Sequence, residues 1–274
     1  MPAISTNTAA NSAVRYLNIN SAQESSALAK LSSGSRITSA SDDAAGLAIS
    51  TRISSDVTTL QQAATNASQA TAILQTADGG ASNISDILAR MKSLASESAS
   101  GTTTDSSRAY INSEFTQLSS EIDSIATGTR YSSQSLLDGS SVFASGVSVL
   151  VGSSGSDTIT ITLTSLTASS LGVSSLNVTS LSDAASALDT LDSAIDTVSA
   201  ARASIGAQES RFNFSSDSIS TQTQNLQSAN SAITDVDIAS EQATLSSAEV
   251  KTQAAVSAES AANQMPQYLL KLLG

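Results

Sequence analysis

The sequence has neither cysteine nor histidine, no tryptophan, and only two prolines among its 274 residues. Without cysteine there can be no disulfide framework, thiolate nucleophile or cysteine-ligated metal. Without histidine there can be no histidine-based catalytic triad and no His-bearing zinc site. Aromatic residues make up only 3% of the chain, so the large side chains that usually fill a thick core are scarce. Because the prolines stand at positions 2 and 266, the long stretch between them is free to form helices.

Positive charge is also scarce in this chain. Twelve Lys and Arg residues stand against 24 Asp and Glu residues, which gives a net charge of −12, and no basic run occurs. We therefore expect neither nucleic acid nor a membrane as a partner. No apolar stretch approaches the roughly 20 residues of a membrane span, and the N-terminus lacks the pattern of a Sec-type signal peptide. Any export is expected to use a route that does not cleave such a signal.

Apolar residues recur at heptad spacing in three parts of the chain, which is typical of helices that pack along coiled-coil seams. The predicted helices cover about residues 60–95, 111–125 and 181–233. Three helices with matching seams can satisfy one another, so an intramolecular bundle is favoured for most of these residues. The predicted bundle-seam residues are Leu60, Leu74, Ile84, Leu88, Met91, Phe115, Leu191, Val198, Ile205 and Phe212.

Two details of these helices are also predicted. Leu181, Leu188 and Ile195 recur at the companion positions of the last helix, and are expected to share its seam. Gly79-Gly80 interrupts the first helix and predicts a weak point, since each glycine costs about 1 kcal/mol relative to alanine. A helix of about 50 residues spans roughly 75 Å, whereas a compact globule of this length is only about 50 Å across. The predicted fold class is therefore mainly α, a long coiled-coil or bundle rod.

A small β-hairpin region is predicted in the middle of the chain. Residues 158–164 alternate strictly between threonine and apolar side chains, and Val147, Val149 and Val151 alternate before the turn-rich residues 152–157. This hairpin is expected to face outward from the helices.

The paired acidic residues are interpreted as helix caps rather than as metal ligands. Asp42-Asp43 precedes one predicted helix and Asp237 precedes another, while Gly34 is a natural helix stop. Glu121 and Asp123 point in different directions on a helix, so they cannot cooperate in acid–base chemistry. The sequence therefore predicts no enzyme, and no catalytic, cofactor or metal site.

The two chain ends have apolar faces that are too thinly patterned to form a second core alone. We therefore expect these faces to be buried in an intermolecular assembly. The residues predicted to take part in polymerisation are Ile4, Val14, Leu17, Leu28, Leu31, Ile238, Leu245, Tyr268, Leu269, Leu270, Leu272 and Leu273.

Both ends also carry motifs of a known family. LSSGSRI at 31–37 and SDDAAGLAI at 41–49 closely resemble the N-terminal signature of bacterial flagellins. IGAQESRFN at 205–213, TDVDIASE at 234–241 and AANQMPQ at 261–267 resemble the C-terminal signature of the same family. The chain is most similar in type to the short flagellins found, for example, in alphaproteobacteria.

The resemblance implies a three-part domain organisation. Residues 1–40 and 235–274 would form an inner terminal coiled coil, and residues 41–138 and 181–234 a surrounding helical bundle. Residues 139–180 would stand in place of the large outer domains of longer flagellins. The implied function is that of a structural subunit of the flagellar filament, the helical propeller of swimming motility. Two alternatives are a hook–filament junction protein and an exported coiled-coil binding protein.

The resemblance also implies partners and a location. The main partner would be the chain itself, in a helical homopolymer. Hook-associated junction and cap proteins would meet the filament, and an export chaperone would hold the C-terminal segment before type III export to the extracellular filament. Arg90, Leu94 and Glu114 match a patch that the innate receptor TLR5 recognises in some flagellins. Ser93 replaces an acidic residue of that patch, which argues against recognition.

Overall fold

The computed structural model describes the backbone of residues 6–273 and the side chains of residues 6–268. It is mainly α-helical with two small antiparallel strand pairs, which confirms the predicted fold class. The chain divides into a terminal unit, residues 1–55 with 225–274, and a central unit, residues 56–224. The described elements are α1 (Thr8–Ser33), α2 (Ala44–Ser98), α3 (Asp105–Gly128), β1 (Arg130–Tyr131), β2 (Gln134–Ser135), α4 (Val142–Ser145), β3 (Val147–Leu150), β4 (Thr158–Ile161), α5 (Leu181–Thr234) and α6 (Ile238–Leu273).

The residues predicted to end α1 and to cap α2 and α6 do so in the structure. Gly34 ends α1 in the left-handed region with φ 70°, where a side chain would be strained. Asp43 caps α2, because its Oδ1 accepts a hydrogen bond of 2.8 Å from the backbone N–H of Gly46. Asp237 caps α6 in the same way, with its Oδ1 3.0 Å from the backbone nitrogen of Ala239. The helix α6 continues past Pro266, which does not break it.

Asp42 was predicted to cap α2 together with Asp43, but it stabilises the preceding turn instead. Its carboxylate accepts hydrogen bonds from the hydroxyl of Thr38 at 2.9 Å and from the backbone N–H groups of Thr38 and Ser39. These bonds, led by the one from the Thr38 hydroxyl, lower the pKa of Asp42 to about 2. Asp42 thus closes the turn that precedes α2.

The core of the central unit contains the seam residues predicted from the heptads. All ten are buried. Of the expected companion row of α5, Leu188 and Ile195 are partly buried and pack against the core, whereas Leu181 is 50% exposed. Small residues are buried more completely along α5; these are Ala187, Ala194 and Ala201.

The helix α2 is not broken at Gly79-Gly80, where the sequence predicts a weak point. The helix α2 runs through both residues, and Gly80 is buried. A Cβ atom at Gly80 would lie 2.5 Å from Oγ1 of Thr129 and 2.9 Å from Cδ1 of Leu137, whereas one at Gly79 would meet nothing within 4 Å. Gly80 therefore permits a close approach between α2 and the chain that follows α3.

The predicted hairpin forms, with β3 antiparallel to β4 and Val147 opposite Ile161. Its Thr158 and Thr160 side chains are exposed, as alternation requires. Its other face does not point away from the helices, because Ile159 and Ile161 are buried in the core that α2, α3 and α5 share. The middle segment therefore contributes one face to the central core.

Candidate assembly surface

The helices α1 and α6 of the terminal unit pack against each other. Buried and partly buried residues recur along α1 and α6 at steps of three and four residues, as in a coiled coil. This seam consists of Ala10, Ala13, Leu17, Asn20, Glu24, Ala27 and Leu31 on α1, with the partly buried Lys30 beside it, and of Glu241, Leu245, Ala248, Thr252, Ala255, Glu259, Ala262 and Pro266 on α6. Alanine is the commonest residue on both sides, so the seam buries little apolar area for its length.

Polar side chains set the antiparallel register of this pair. The side-chain amide of Asn7 donates a hydrogen bond of 2.8 Å to the backbone oxygen of Ala262, and its Oδ1 accepts one from the backbone N–H of Ala10. Further along, the hydroxyl of Thr252 donates to Oε2 of Glu24 at 3.2 Å. A slip of one helix along the other would leave these groups without their partners.

Hydrogen bonds also join the residues that follow α1 to the C-terminal end of α5. Arg36 donates from its backbone N–H to the oxygen of Thr234 at 2.6 Å and from its guanidinium to the oxygen of Ile233 at 2.8 Å. Val236 returns a bond of 3.1 Å to the oxygen of Gly34. Apart from Ile233, these residues lie within the motifs at 31–37 and 234–241, so both motifs contribute to the same junction of the terminal unit.

The large apolar side chains of the terminal helices lie mostly outside their seam. On α1, Tyr16 is 63% and Leu28 is 58% exposed; on α6, Val250 is 70% and Tyr268 is 63% exposed. The other large apolar residues that are exposed on these two helices are Val14, Ile19, Ile238, Val256 and Met265. An exposed apolar surface of this kind marks a place of contact with another molecule.

The residues predicted for polymerisation do not all share this exposed surface. Val14, Leu28, Ile238 and Tyr268 are exposed on it, whereas Leu245 is buried in the seam and Leu17 and Leu31 are partly buried there. The side chains of Ile4, Leu269, Leu270, Leu272 and Leu273 lie outside the described residues. Sequence analysis missed Tyr16, Ile19, Val250, Val256 and Met265, although each is a large apolar residue in a helix whose other exposed positions are mostly small or polar.

The predicted receptor patch lies in the central unit and is only partly on the surface. Arg90 and Glu114 form an exposed ion pair, with Nε of the arginine 2.9 Å from Oε1 of the glutamate. Leu94 is only 2% exposed, so it belongs to the core and its place in an exposed patch is wrong. Leu94 follows Ile87 by seven residues and Ile73 by three times seven, and this heptad spacing could have indicated its burial.

A charged cluster that sequence analysis did not single out joins α2 to α5. Arg202 donates from Nε to Oδ1 of Asp78 at 2.8 Å, and this bond raises the pKa of Arg202. Oε1 of Glu209 is buried and has no hydrogen-bond partner in the described part of the chain. Burial, and secondly the negative charge of Asp78, raise the pKa of Glu209.

Among the residues that the structure describes, no three His, Cys, Asp or Glu side chains are grouped so that they could hold a metal ion. Within the same residues, no helix is both long and apolar enough to cross a membrane.

Paired terminal helices with an apolar outer surface are typical of helical structural proteins that assemble with copies of themselves. Comparison with known families identifies which structural proteins this chain resembles. Residues 4–142 match the bacterial flagellin N-terminal helical region, and residues 188–273 match the bacterial flagellin C-terminal helical region.

Individual relatives agree with the family models. A flagellin of Halalkalibacterium halodurans is 35% identical over 272 residues, which cover 98% of this chain and 99% of that protein. The flagellar filament 30.7 kDa core protein of Treponema maltophilum is 33% identical over 94% of this chain and 95% of its own length. A crystal structure of Bacillus cereus flagellin superposes with a TM-score of 0.52 at 28% identity, over 61% of this chain and 94% of that one.

The chain therefore belongs to the bacterial flagellin family, as the sequence motifs predicted. It is a structural subunit of the flagellar filament and polymerises with copies of itself. The comparisons do not favour the two alternatives, a junction protein and an exported binding protein. The alphaproteobacterial type stays a prediction.

Proposed function

We propose that the exposed apolar residues of α1 and α6 are the surface through which the subunit polymerises. The observation that supports this is the contrast between an alanine-rich seam and large apolar side chains left outside it. Burying one such side chain in a contact between copies contributes about 1.5–3 kcal/mol. Several of them together can offset the entropy lost on association.

The distribution of charge supports the same surface. The central unit has sixteen acidic and six basic residues, a net charge of −10, whereas the terminal unit has eight and six, a net charge of −2. Copies that meet through the terminal unit therefore bring little like charge together.

The test is a pair of matched substitutions on α1. Leu28→Asp places a charge on the exposed apolar surface, while Ser26→Asp adds the same charge at another exposed position of the same helix. We expect Leu28→Asp to abolish or strongly reduce filaments in electron microscopy and in pelleting assays, and Ser26→Asp to assemble. Circular dichroism would verify that both monomers keep their helices. Equal assembly of the two variants would remove α1 from the polymerising surface.

The three-part organisation of the filament subunit is part of this proposal. Residues 1–40 with 235–274 would form the inner part, residues 41–138 with 181–234 the surrounding bundle, and residues 139–180 the outermost segment. Limited proteolysis of filaments tests the order: cleavage should begin in residues 139–180 and reach the terminal helices last. First cleavage within α1 or α6 would contradict it.

The export route and the other partners are also proposed. The subunit would leave the cell by flagellar type III export, with a chaperone on its C-terminal segment, and would meet junction and cap proteins at the filament ends. The apolar surface of α6 supports a chaperone contact, since it is exposed in the free chain. Loss of the subunit from the culture medium in an export-deficient strain, and its accumulation inside the cell, is the expected result.

A structural role without enzymatic activity completes the proposal. It is supported by family membership and by the lack of histidine and cysteine from the sequence. A hydrolytic activity that copurifies with filaments and is lost on substitution of a residue of this chain would contradict it.

A further inference from the structure

The sequence contains two Asp-Gly dipeptides, Asp78-Gly79 and Asp138-Gly139. Aspartate isomerises readily in such a dipeptide, because glycine has no Cβ atom to hinder the approach of its backbone nitrogen. In this reaction the glycine nitrogen bonds to Cγ of the aspartic acid, and its proton leaves with the carboxyl hydroxyl as water, which gives a cyclic imide. Water then opens the ring at the backbone carbonyl and leaves isoaspartate, in which the main chain runs through the side-chain carboxyl carbon. Water is the only other reactant, so no oxidant or reductant is needed.

The first of these dipeptides is well shielded inside α2. The backbone N–H of Gly79 belongs to the regular helix, where it pairs with an oxygen one turn earlier. The two carboxylate oxygens of Asp78 accept hydrogen bonds from the guanidinium of Arg202 at 2.8 and 3.3 Å. Ring closure there requires both local unfolding of α2 and loss of this ion pair, so we expect little isoaspartate at Asp78 in the folded protein.

The second dipeptide, Asp138-Gly139, lies in a turn outside the helices and strands. Gly139 has a φ of 76°, and a Cβ atom there would lie 2.8 Å from Cβ of Ser165. The fold therefore requires glycine at this position, and with it an unhindered nitrogen next to Asp138. Both Asp138 and Ser140 line an open cavity at the surface, so water reaches the dipeptide.

Ser140 holds the carboxylate of Asp138 with two donors. Its backbone N–H donates to Oδ1 at 3.0 Å, and its hydroxyl donates to Oδ2 at 2.6 Å. The carboxyl group must leave these donors before its Cγ can turn toward the nitrogen of Gly139. The bonds also favour the ionised group, and the one from the Ser140 hydroxyl is the main cause that lowers the pKa of Asp138. Since ring closure expels the hydroxyl of the protonated acid, a smaller protonated fraction slows the reaction further.

We propose that Asp138-Gly139 is a site of spontaneous modification to isoaspartate, and that Ser140 delays this reaction in the folded protein. The modification lengthens the main chain by one atom next to Leu137, whose oxygen accepts a hydrogen bond of 2.8 Å from the N–H of Leu166. It also displaces Gly139 from its close approach to Ser165, so the modified turn is less stable. This inference does not depend on how copies of the chain polymerise.

Matched serine substitutions in the full-length monomer test the role of Ser140. Ser140→Ala removes the hydroxyl that binds Asp138, Ser140→Thr keeps a hydroxyl, and Ser148→Ala makes the same deletion at an exposed position of β3. The monomers are incubated at neutral pH, and isoaspartate is quantified by peptide mass spectrometry with electron-transfer fragmentation.

The rate of isoaspartate formation at position 138 is the result to compare. Because a hydrogen bond to a charged group is lost, we expect this rate to rise roughly three- to tenfold in Ser140→Ala. In Ser140→Thr and Ser148→Ala it should stay within about twofold of the wild-type rate. Equal rates in Ser140→Ala and the wild type, with circular dichroism showing both folded, would overturn the inference.

A comparison between the two dipeptides of the wild-type chain needs no substitution. In urea both lose their shielding, so isoaspartate should form at similar rates at Asp78 and Asp138, and faster than in the folded protein. In the folded protein, the reaction at Asp138 should be the faster of the two. A faster reaction at Asp78 in the folded protein, or a rate at Asp138 equal to that in urea, would overturn the inference.

Discussion

Gln208 of α5 hydrogen-bonds both backbone groups of Thr162, the residue that follows β4. Its Oε1 accepts from the N–H of Thr162 at 3.0 Å, and its Nε2 donates to the oxygen of Thr162, also at 3.0 Å. The amide side chain thereby completes the outer edge of the hairpin in the way that a neighbouring strand would. Gln208 is only 8% exposed, so these bonds are formed away from most of the solvent.

Replacing Gln208 by alanine should therefore destabilise the central unit. Two hydrogen bonds would be lost, and because Thr162 is exposed each contributes about 0.5–1.5 kcal/mol. We expect a loss of roughly 1–3 kcal/mol in the free energy of unfolding, measured by urea denaturation. Gln222→Ala is the matched control, because it makes the same change at an exposed position of the same helix. A loss of equal size in the control would show that the bonds to Thr162 contribute little.

Alanine substitutions at the two adjacent glycines of α2 should change the stability of the protein in opposite directions. Gly79→Ala should stabilise the protein by about 0.5–1 kcal/mol, because alanine favours the helix and the added methyl group meets nothing within 4 Å. Gly80→Ala should destabilise it by about 1–3 kcal/mol, since the methyl group would collide with the side chains of Thr129 and Leu137. Thermal unfolding of both variants measures the difference. Stabilisation by Gly80→Ala would mean that Thr129 moves aside easily.

The contrast between Gly79 and Gly80 illustrates what sequence patterns can and cannot predict. Heptad spacing predicts the helices and their buried rows, because a regular helix repeats the same face every seven residues. It cannot predict that Gly80 faces Thr129, since that contact depends on how the chain after α3 returns to α2. The same reason explains why Gln208 was not singled out, because Thr162 is 46 residues away from it in the sequence.

The companion row of α5 was predicted only in part. Hydrophobicity alone favours Leu181, Leu188 and Ile195, but Leu181 is exposed and the alanines of α5 are buried more completely than Leu188 and Ile195. In the terminal unit, the sequence predicts apolar ends and their caps, since both depend on neighbouring residues. The division of those apolar residues between the α1 seam and the exposed surface depends on the register set by Asn7 and Glu24.

The two-residue turn between β1 and β2 leads to a stabilising substitution. Ser132 and Ser133 both have positive φ values, 48° and 70°, and they are the only non-glycine residues with positive φ in the described part of the chain. A turn of this type favours glycine at its second position, because a Cβ atom is strained there. Ser133→Gly should therefore raise the free energy of unfolding by about 1 kcal/mol. Ser153→Gly, in a loop without positive φ at that serine, should give no gain, and an equal gain in both variants would contradict the argument.

Glu209 leads to a prediction about pH. Burial and the charge of Asp78 raise its pKa in the folded protein, so the folded state binds the proton more tightly than the unfolded state does. An ordinary glutamate has a pKa a little above 4. The stability that the protonated Glu209 contributes is therefore fully present below that pKa, and it is lost as the pH rises through the raised pKa of the folded state. Glu209→Gln, which stays neutral, should raise the melting temperature at pH 7 and leave it nearly unchanged at pH 4. Glu121→Gln removes the same charge at an exposed position of α3, and so measures the effect of the net charge alone. If Glu209→Gln gains no more than Glu121→Gln at pH 7, the buried Oε1 of Glu209 is solvated in solution and the predicted pH dependence is wrong.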